Sequence, residues 1–209
     1  MWLRNYYNLL TAEFLADDEL TSTSQPTTYD PPIRVRRLNG DWIVPNVLSN
    51  PRGAYSAGIG NQLGCLMLDK LGGQMITDSS TRTNLYMGVL VGSGSTAATY
   101  DDYKLDSMIT SGVTLVNNSG TLTQQSVFDG DTHHLRSVRS FTINNSSASN
   151  ITINEIGLAI AANSTGTTAN GYLTLVYREV LDSPVTLAPS ESMILQFTRD
   201  AEVYNYTPY

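Results

Sequence analysis

The stretch that decides the fold is Asn154–Phe197, which reads NEIGLAIAANSTGTTANGYLTLVYREVLDSPVTLAPSESMILQF. Apolar and polar residues alternate over short runs, and clusters of Gly, Ser, Thr, Asn and Pro separate these runs. A period of two is typical of β-strands with one buried face, and such clusters are typical of turns. A second stretch, Leu85–Thr110, repeats the order of strand, small-residue turn and strand. Neither stretch contains a catalytic cluster, so both indicate packing.

Turn signals recur often enough in the second half of the chain to predict a mainly β fold, with an antiparallel β-sandwich or jelly-roll-like body. The predicted strands are Asn84–Gly92, Gly112–Val116, Leu135–Asn144, Ile151–Ala161, Gly171–Leu181, Val185–Leu187 and Ser192–Thr198. Between Ile153 and Ile156 the apolar face shifts by one residue, which predicts a β-bulge, and the adjacent Gly157 fits a bend or a close backbone approach. Leu173, Leu175 and Tyr177 are predicted to share one face of their strand. Met193, Leu195 and Phe197 are predicted to share one face of the last strand, and these six are the predicted core residues there.

The first 45 residues predict an N-terminal helix and extended arm, separate from a body at 46–209. Apolar side chains at helical spacing indicate a short amphipathic helix. These side chains are Leu3, Tyr6, Tyr7, Leu10 and Phe14. Ser/Thr residues and three prolines follow and favour an extended arm, with a disordered tail as the alternative. Because an isolated helix this short is marginal in water, we expect its aromatic stripe to lie on a partner.

Composition limits the possible functions. Charged residues make up 15% of the chain, against about 25% in an average soluble domain, and the net charge is −7. This charge disfavours direct binding of nucleic acid. Arg34, Arg36 and Arg37 form one basic run that predicts either a strand with arginines facing solvent or an acidic neighbour, or a local phosphate or carboxylate contact. No run of about 18 apolar residues occurs, so no membrane-spanning helix is predicted.

The densest group of possible metal ligands is FDGDTHHLR, with Asp129, Asp131, His133 and His134. These residues could form a metal or acid/base site, as in a metal-dependent hydrolase. The alternative is a polar turn that leads into a strand, where adjacent histidines point to opposite faces. That geometry favours the turn, so the sequence predicts neither a bound metal nor a cofactor.

Other motifs also favour architecture over chemistry. GSGS at 92–95 follows a strand, but no GK[ST] follows it, so it predicts a turn and no phosphate site. The segment around Asp102 lacks the glycine and the glutamate of a calcium loop, so it predicts no calcium site. Asp102 is instead expected to cap a turn. Nowhere does the sequence contain GxSxG, HExxH or paired cysteines. We therefore expect no enzymatic activity.

Aromatic residues outside the strands suggest contact with a partner. The chain has twelve tyrosines, and the segment AEVYNYTPY carries Tyr204, Tyr206 and Tyr209. Exposed aromatic rings offer rigid contact area to proteins and to sugars. The tyrosines and Trp42 would be the stacking groups of a glycan-binding module.

The two stretches also resemble segments of structural proteins from tailed bacteriophages. VGSGSTAATYDDYKLDSMIT is similar to a strand, a Gly-Ser-Gly turn, a small-residue spacer and a D-Y-x-L element. EIGLAIAA and LVYREVLDSPVTLAPSESMILQFT resemble closing strands of such proteins, where glycine often stands at the position of Glu191. The opening RNYYNLL is similar to the start of such phage proteins.

The resemblance implies a noncatalytic virion protein with a β-sandwich body, and no functional residues are carried over. It leaves open a capsid decoration or head-fibre protein, a neck or tail component, and a receptor-binding module that grips host glycans. Its expected partners are other virion proteins, such as the major capsid, portal, neck or tail subunits, and further copies of itself. Together with the predicted N-terminal helix and arm, the resemblance predicts that residues 1–45 anchor the protein in the particle.

Overall fold

The computed structural model describes residues 1–9, 34–43, 73–75, 77, 82–83, 87–116, 121–129, 132–161, 170–171 and 173–204. Residues 4–9 are helical, and the rest of the described chain is rich in strands. The strands are β1 (Val35–Arg36), β2 (Trp42–Ile43), β3 (Gly73–Met75), β4 (Arg82–Thr83), β5 (Met87–Gly92), β6 (Val113–Leu115), β7 (Thr121–Asp129), β8 (Thr132–Asn145), β9 (Ile151–Ala161), β10 (Asn170–Gly171), β11 (Leu173–Leu187) and β12 (Ser192–Tyr204). The predicted mainly β fold is confirmed.

Two sheets form the body. The first has the order β11-β9-β5-β3, and its pairs are antiparallel except for β3 with β5. The second sheet has the order β12-β8-β6. Strand β6 pairs with residues 143–145 of β8, and β7 pairs with residues 132–140 along the same edge of β8. Apolar side chains of both sheets join in one buried cluster, as two sheets packed face to face require. Its largest fully buried members include Phe141, Phe197, Ile143, Ile153 and Leu158.

The first sheet is buried on its outer face as well. A second apolar cluster there joins sheet residues to side chains from the N-terminal segment, the β1–β2 hairpin and the loop after β5. Its members are Leu3, Leu38, Leu90, Leu105, Ala159, Leu173 and Leu175. Burial on both faces explains why β5, β9 and β11 contain consecutive apolar residues.

Irregular registers change which face a side chain occupies. The β9–β11 register shifts between Leu175 and Tyr177, so Leu175 packs in the outer cluster while Tyr177 packs against the inner one, 5.4 Å from the Phe197 ring. The prediction that Leu173, Leu175 and Tyr177 share a face is therefore wrong for Tyr177. A second shift lies between Val180 and Val185, opposite Ile153 and Glu155, and its extra residues lie in β11, not in β9 as the predicted bulge would require. The predicted change of apolar face is confirmed, because Ile153 and Ile156 both pack in the inner cluster.

Residues 1–9 are part of the body. The amide of Leu3 donates to the carbonyl of Val176 at 2.9 Å, and the amide of Arg178 donates to the carbonyl of Met1 at 3.1 Å, so this segment pairs with β11. Leu3 is 0% exposed, and Tyr6 is buried in the inner core. The prediction that Leu3 and Tyr6 contact a partner is wrong, because their apolar stripe finds its surface within its own chain.

The β1–β2 hairpin also packs on the body. The amide of Leu38 donates to the carbonyl of Leu173 at 3.1 Å. The side chain of Asn5 joins the helix to the hairpin, since its Nδ2 donates to the carbonyl of Arg36 and its Oδ1 accepts from the Arg36 amide. Of the predicted arm, the parts 1–9 and 34–43 thus lie against the sandwich, whereas Leu10 and Phe14 lie outside the described residues.

Candidate functional site

The loop at residues 93–112, which joins β5 to β6, contains most of the segment VGSGSTAATYDDYKLDSMIT and lies along the first sheet. Backbone bonds hold its two ends together: Ser93 N donates to Ser107 O at 2.8 Å, and Ile109 N donates to Val91 O at 2.9 Å. The loop then needs side-chain contacts to fix its middle. An ion cluster of Asp102, Glu155 and Arg178 provides them.

Glu155 on β9 and Arg178 on β11 form the buried part of this ion cluster. Arg178 Nε and Nη2 lie 2.9 and 2.8 Å from Glu155 Oε2. The side chains are 0% exposed for Glu155 and 3% for Arg178. The register pairs Arg178 with Gly157, two residues from Glu155 on the same strand, so the two side chains emerge on one face. A buried charge requires such a partner.

Both residues also bind the loop directly. The backbone amides of Asp106 and Ser107 donate to the Glu155 carboxylate at 3.0 and 2.7 Å. Arg178 Nη2 donates to the carbonyl of Thr96 at 2.9 Å, and Nη1 donates to Asp102 at 2.5 Å. The ion cluster therefore ties both halves of the loop to the sheet.

The turn at 99–102 completes the ion cluster. The carboxylate of Asp102 accepts bonds from the amide and the hydroxyl of Thr99 at 2.9 and 2.7 Å, so the predicted turn cap is confirmed. Burial by itself would raise the pKa of Asp102, but the bonds from Thr99 and the charge of Arg178 outweigh it and lower that pKa. Burial by itself would lower the pKa of Arg178, but its carboxylate partners Asp102 and Glu155 outweigh burial and raise that pKa.

The glycines of GSGS make room for the ion cluster. A Cβ on Gly94 would lie 2.5 Å from the Asp106 Cβ and 2.6 Å from Glu155 Oε1, and one on Gly92 would clash with the same carboxylate oxygen. On the sheet, a Cβ on Gly157 would lie 3.0 Å from side-chain carbons of Leu105 and Leu175, so the close approach at this glycine is made by side chains, where the sequence predicted a bend or a close approach of backbone. These glycines serve packing, since any larger residue would displace the loop.

The D-Y-x-L element, Asp102–Leu105, places each of its three defining residues in a structural contact. Asp102 binds Arg178, Leu105 is buried in the outer cluster, and the Tyr103 ring carries the guanidinium of Arg36 at 3.7 Å. The carboxylate of Glu155 has no solvent-exposed surface with which to meet a substrate. The ion cluster is therefore suited to fixing the loop, and we assign it no catalytic step.

Beside the D-Y-x-L element lies a surface that we call the aromatic–arginine surface. It consists of Arg4, Tyr7, Arg34, Arg36, Trp42, Tyr100 and Tyr103. The rings of Tyr7 and Tyr100 lie 6.0 Å apart, and the Arg4 guanidinium lies 5.3 Å from the Tyr100 ring. Arg36 lies between two rings, 3.7 Å from Tyr103 and 5.8 Å from Trp42. Helix, loop and hairpin meet here, through Arg4 N donating to Tyr100 O and through the Asn5–Arg36 bonds.

The structure gives the predicted basic run different surroundings at each position. Arg36 stacks on Tyr103 and donates Nε to the carbonyl of Gly40, and Arg37 pairs with Asp41 at 3.3 Å. Arg34 is exposed. The expectation of an acidic neighbour thus holds for Arg37.

The predicted metal ligands lie at the β7–β8 hairpin. Asp129 ends β7 and pairs with Thr132, and His133 and His134 are consecutive residues of β8. Asp131 and the side chains of this hairpin fall outside the described part. Across the side chains that the structure does describe, no three His, Cys, Asp or Glu residues are grouped to hold a metal ion.

The predicted aromatic contacts of the last segment are only partly described. Tyr204 is the last residue of β12 and pairs with Thr132, while Tyr206 and Tyr209 lie outside the described residues. Among the helices that are described, none is long and apolar enough to cross a membrane.

Comparisons of the chain with protein-family models, with curated proteins and with solved structures found no match.

Sequence reasoning missed Glu155 and Arg178, although each carries a signal. Glu155 is the one acidic residue of β9, between Ile153 and Ile156, and Arg178 follows the apolar run LTLVY in β11. A single charge within an apolar strand must be paired when that strand is buried. Opposite charges on two predicted neighbouring strands therefore indicate an ion pair.

Proposed function

We propose that this chain is a noncatalytic structural protein of a bacteriophage virion that displays its β-sandwich body on the particle. The observation that carries the proposal is the structural role of the segment VGSGSTAATYDDYKLDSMIT, which resembles phage proteins. Its glycines make room for Glu155, and its D-Y-x-L residues bind or cover the sheet. The segment that resembles phage proteins therefore coincides with a structural unit, a loop held against a sheet by side-chain contacts. This supports a shared architecture with the proteins that the segment resembles.

The low charge of the body supports the same function. Charged residues form 15% of the chain, and the described outer face of the second sheet presents Thr142, Ile194 and Gln196 beside neutral neighbours. Ile194 is 63% exposed. Neutral, partly apolar surfaces suit permanent contact with neighbouring subunits. The partners proposed are other virion proteins, namely capsid, portal, neck or tail subunits, and further copies of this chain.

The anchoring role predicted for residues 1–45 is narrowed by the packing of 1–9 and 34–43 on the body. We assign it to residues 10–33, which connect these two parts. Asn8 Nδ2 donates to the carbonyl of Arg34 at 2.7 Å, so a linker of about six Gly/Ser residues, with a reach of about 20 Å, can join Leu9 to Arg34.

The test compares three versions of the chain in phage particles purified from the producing host. These are the natural chain, the version with the linker in place of 10–33, and a control that keeps 10–33 and carries the same linker after residue 33. We expect the natural chain and the control in the particles by mass spectrometry, and the linker version folded in the cell but absent from particles. Absence of the natural chain from particles would overturn the virion proposal, whereas incorporation of the linker version would overturn only the anchoring role.

A further inference from the structure

The outer face of the second sheet carries two strongly exposed apolar side chains in one row. Val116 is 62% exposed and Ile194 is 63% exposed, more than any other large hydrophobic side chain of the described residues. The amide of Val116 donates to the carbonyl of Thr142 at 2.9 Å, and Ile194 is the β12 partner of Thr142, so both flank this residue of β8. Val113 and Leu115 pack inside, and alternation therefore turns Val116 outwards.

Two further rows of this face are symmetric about β8 in the same way. Each row has exposed hydroxyl residues on the two flanking strands: Thr114–Asn144–Ser192 and Thr123–Val138–Thr198. None of the three rows contains a charged residue. A half-turn about an axis along β8 therefore exchanges each flank for one of like chemistry.

This symmetry makes the face complementary to itself. Two sheets pack face to face with their strands within about 30° of each other. With a two-fold axis along β8 between two copies, Ile194 of each copy lies over Val116 of the other, and Thr142 lies over Thr142. Apolar side chains then meet apolar ones, and hydroxyls meet hydroxyls, which both donate and accept. The face thus offers a second copy the contact that a two-fold interface requires.

The charge of the chain also favours a second copy on this face. Chains of net charge −7 repel one another at long range, so two copies approach best through surfaces without charge. A strongly acidic or basic partner would find no opposite charge in the three rows. In a two-fold contact through the aromatic–arginine surface, by contrast, Arg34 and Arg36 would face the arginines of the other copy.

We propose that the outer face of the second sheet joins two copies of this chain about a two-fold axis along β8. The face spans three strands about 4.8 Å apart and residues 138–144 of β8 at about 3.4 Å each, which gives roughly 340 Å² on each copy. This area is small for a stable dimer, so the contact is weak in dilute solution. It strengthens where anchored copies lie side by side. The inference deepens the proposed function and rests on it only for this anchoring.

Sedimentation velocity of the purified natural chain, at concentrations up to about 1 mM, measures the dimer without phage. We expect a dimer that tightens when salt is raised from about 50 mM to about 500 mM, because salt screens the repulsion between the chains and the contact has no ion pair to lose. A monomer at every concentration, or a dimer that weakens with salt, would overturn the proposal. Neither result bears on incorporation into particles, which tests the virion proposal.

Variants decide whether the dimer uses this face. Ile194→Lys and Val116→Glu should each weaken it at least about tenfold, since a two-fold dimer loses each apolar contact twice. A mixture of the two variants should recover most of the affinity, because the lysine of one chain then lies over the glutamate of the other. Trp42→Lys adds the same charge as Ile194→Lys at an exposed apolar residue of another surface, and this control should dimerise as the natural chain does.

Thermal unfolding at low concentration tests whether the chain itself covers the face. Because both side chains are exposed, we expect the variants to unfold at nearly the temperature of the natural chain. A clear fall in that temperature would show that other residues of the same chain cover the face, and would overturn the proposal. Equal weakening of the dimer by Trp42→Lys, or no recovery in the mixture, would do the same.

Discussion

The substitution Glu155→Gln tests the role of the ion cluster. Glu155 accepts bonds from two nitrogens of Arg178 and from the amides of Asp106 and Ser107. Glutamine keeps the shape but loses the charge, and its NH₂ group turns a donor towards other donors. Removing one partner from a buried ion pair destabilises proteins by about 3–5 kcal/mol. Because Asp102 still pairs with Arg178, we expect a loss of about 3 kcal/mol, at the lower end of that range.

For a chain of this size, about 3 kcal/mol corresponds to a fall in Tm of about 6–12 °C. Urea unfolding followed by circular dichroism measures the free energy, and hydrogen exchange measures protection of the Asp106 and Ser107 amides, which should fall. Asp182→Asn, at an exposed position of β11, is the control and should change stability by less than about 0.5 kcal/mol. A loss below about 1 kcal/mol with unchanged protection of both amides would refute the assigned role of the ion cluster.

Three further predictions concern single residues. Leu3→Ala should lower the free energy of unfolding by about 3 kcal/mol, because the side chain is fully buried, and a urea midpoint close to that of the natural chain would contradict this packing. The Asp102 pKa is lowered in the folded state, so its contribution is present above the unfolded pKa of about 3.9 and is lost as pH falls through the lower folded value. Asp102→Asn should therefore reduce the loss of stability between pH 6 and pH 3, and an equal loss in both proteins would count against the assignment. Thr174→Val should be neutral or stabilise by up to about 1 kcal/mol in thermal unfolding, since the buried hydroxyl has no hydrogen-bond partner in the described structure; a clear destabilisation would reveal a missed partner.

The sequence predicted the strands of the body better than the position of its first residues. Alternation identified Ile151–Ala161 with the bounds that the structure gives, because each strand carries its own period. The strand β7, TLTQQSVFD, was missed because it has few apolar residues and depends on its long pairing with β8. The amphipathic stripe shows that residues 3–9 need an apolar surface to pack on. It does not show whether that surface belongs to the same chain or to a partner. That question is decided by β11, more than 160 residues further along the chain.

The ion cluster was missed for a related reason. Glu155 is the one charged residue of β9, Arg178 is followed directly by Glu179 in β11, and neither Glu155 nor Arg178 belongs to a catalytic motif. Only the pairing of β9 with β11 brings them together, and only the return of the loop brings Asp102 to them. The aromatic–arginine surface was anticipated in part, since Trp42 and the tyrosines outside the strands were expected to be exposed.

The pairing of Leu3 with Val176 has a consequence for folding inside the cell. The chain is synthesised from its first residue, so the N-terminal segment leaves the ribosome long before β11 exists to receive it. Until then its apolar stripe has no β11 to pair with. Contacts that span nearly the whole chain form late and slowly, so the N-terminal segment is expected to dock only after most of the chain has been synthesised. Premature termination before β11 would release a chain whose N-terminal apolar stripe is exposed, a substrate for chaperones and proteases.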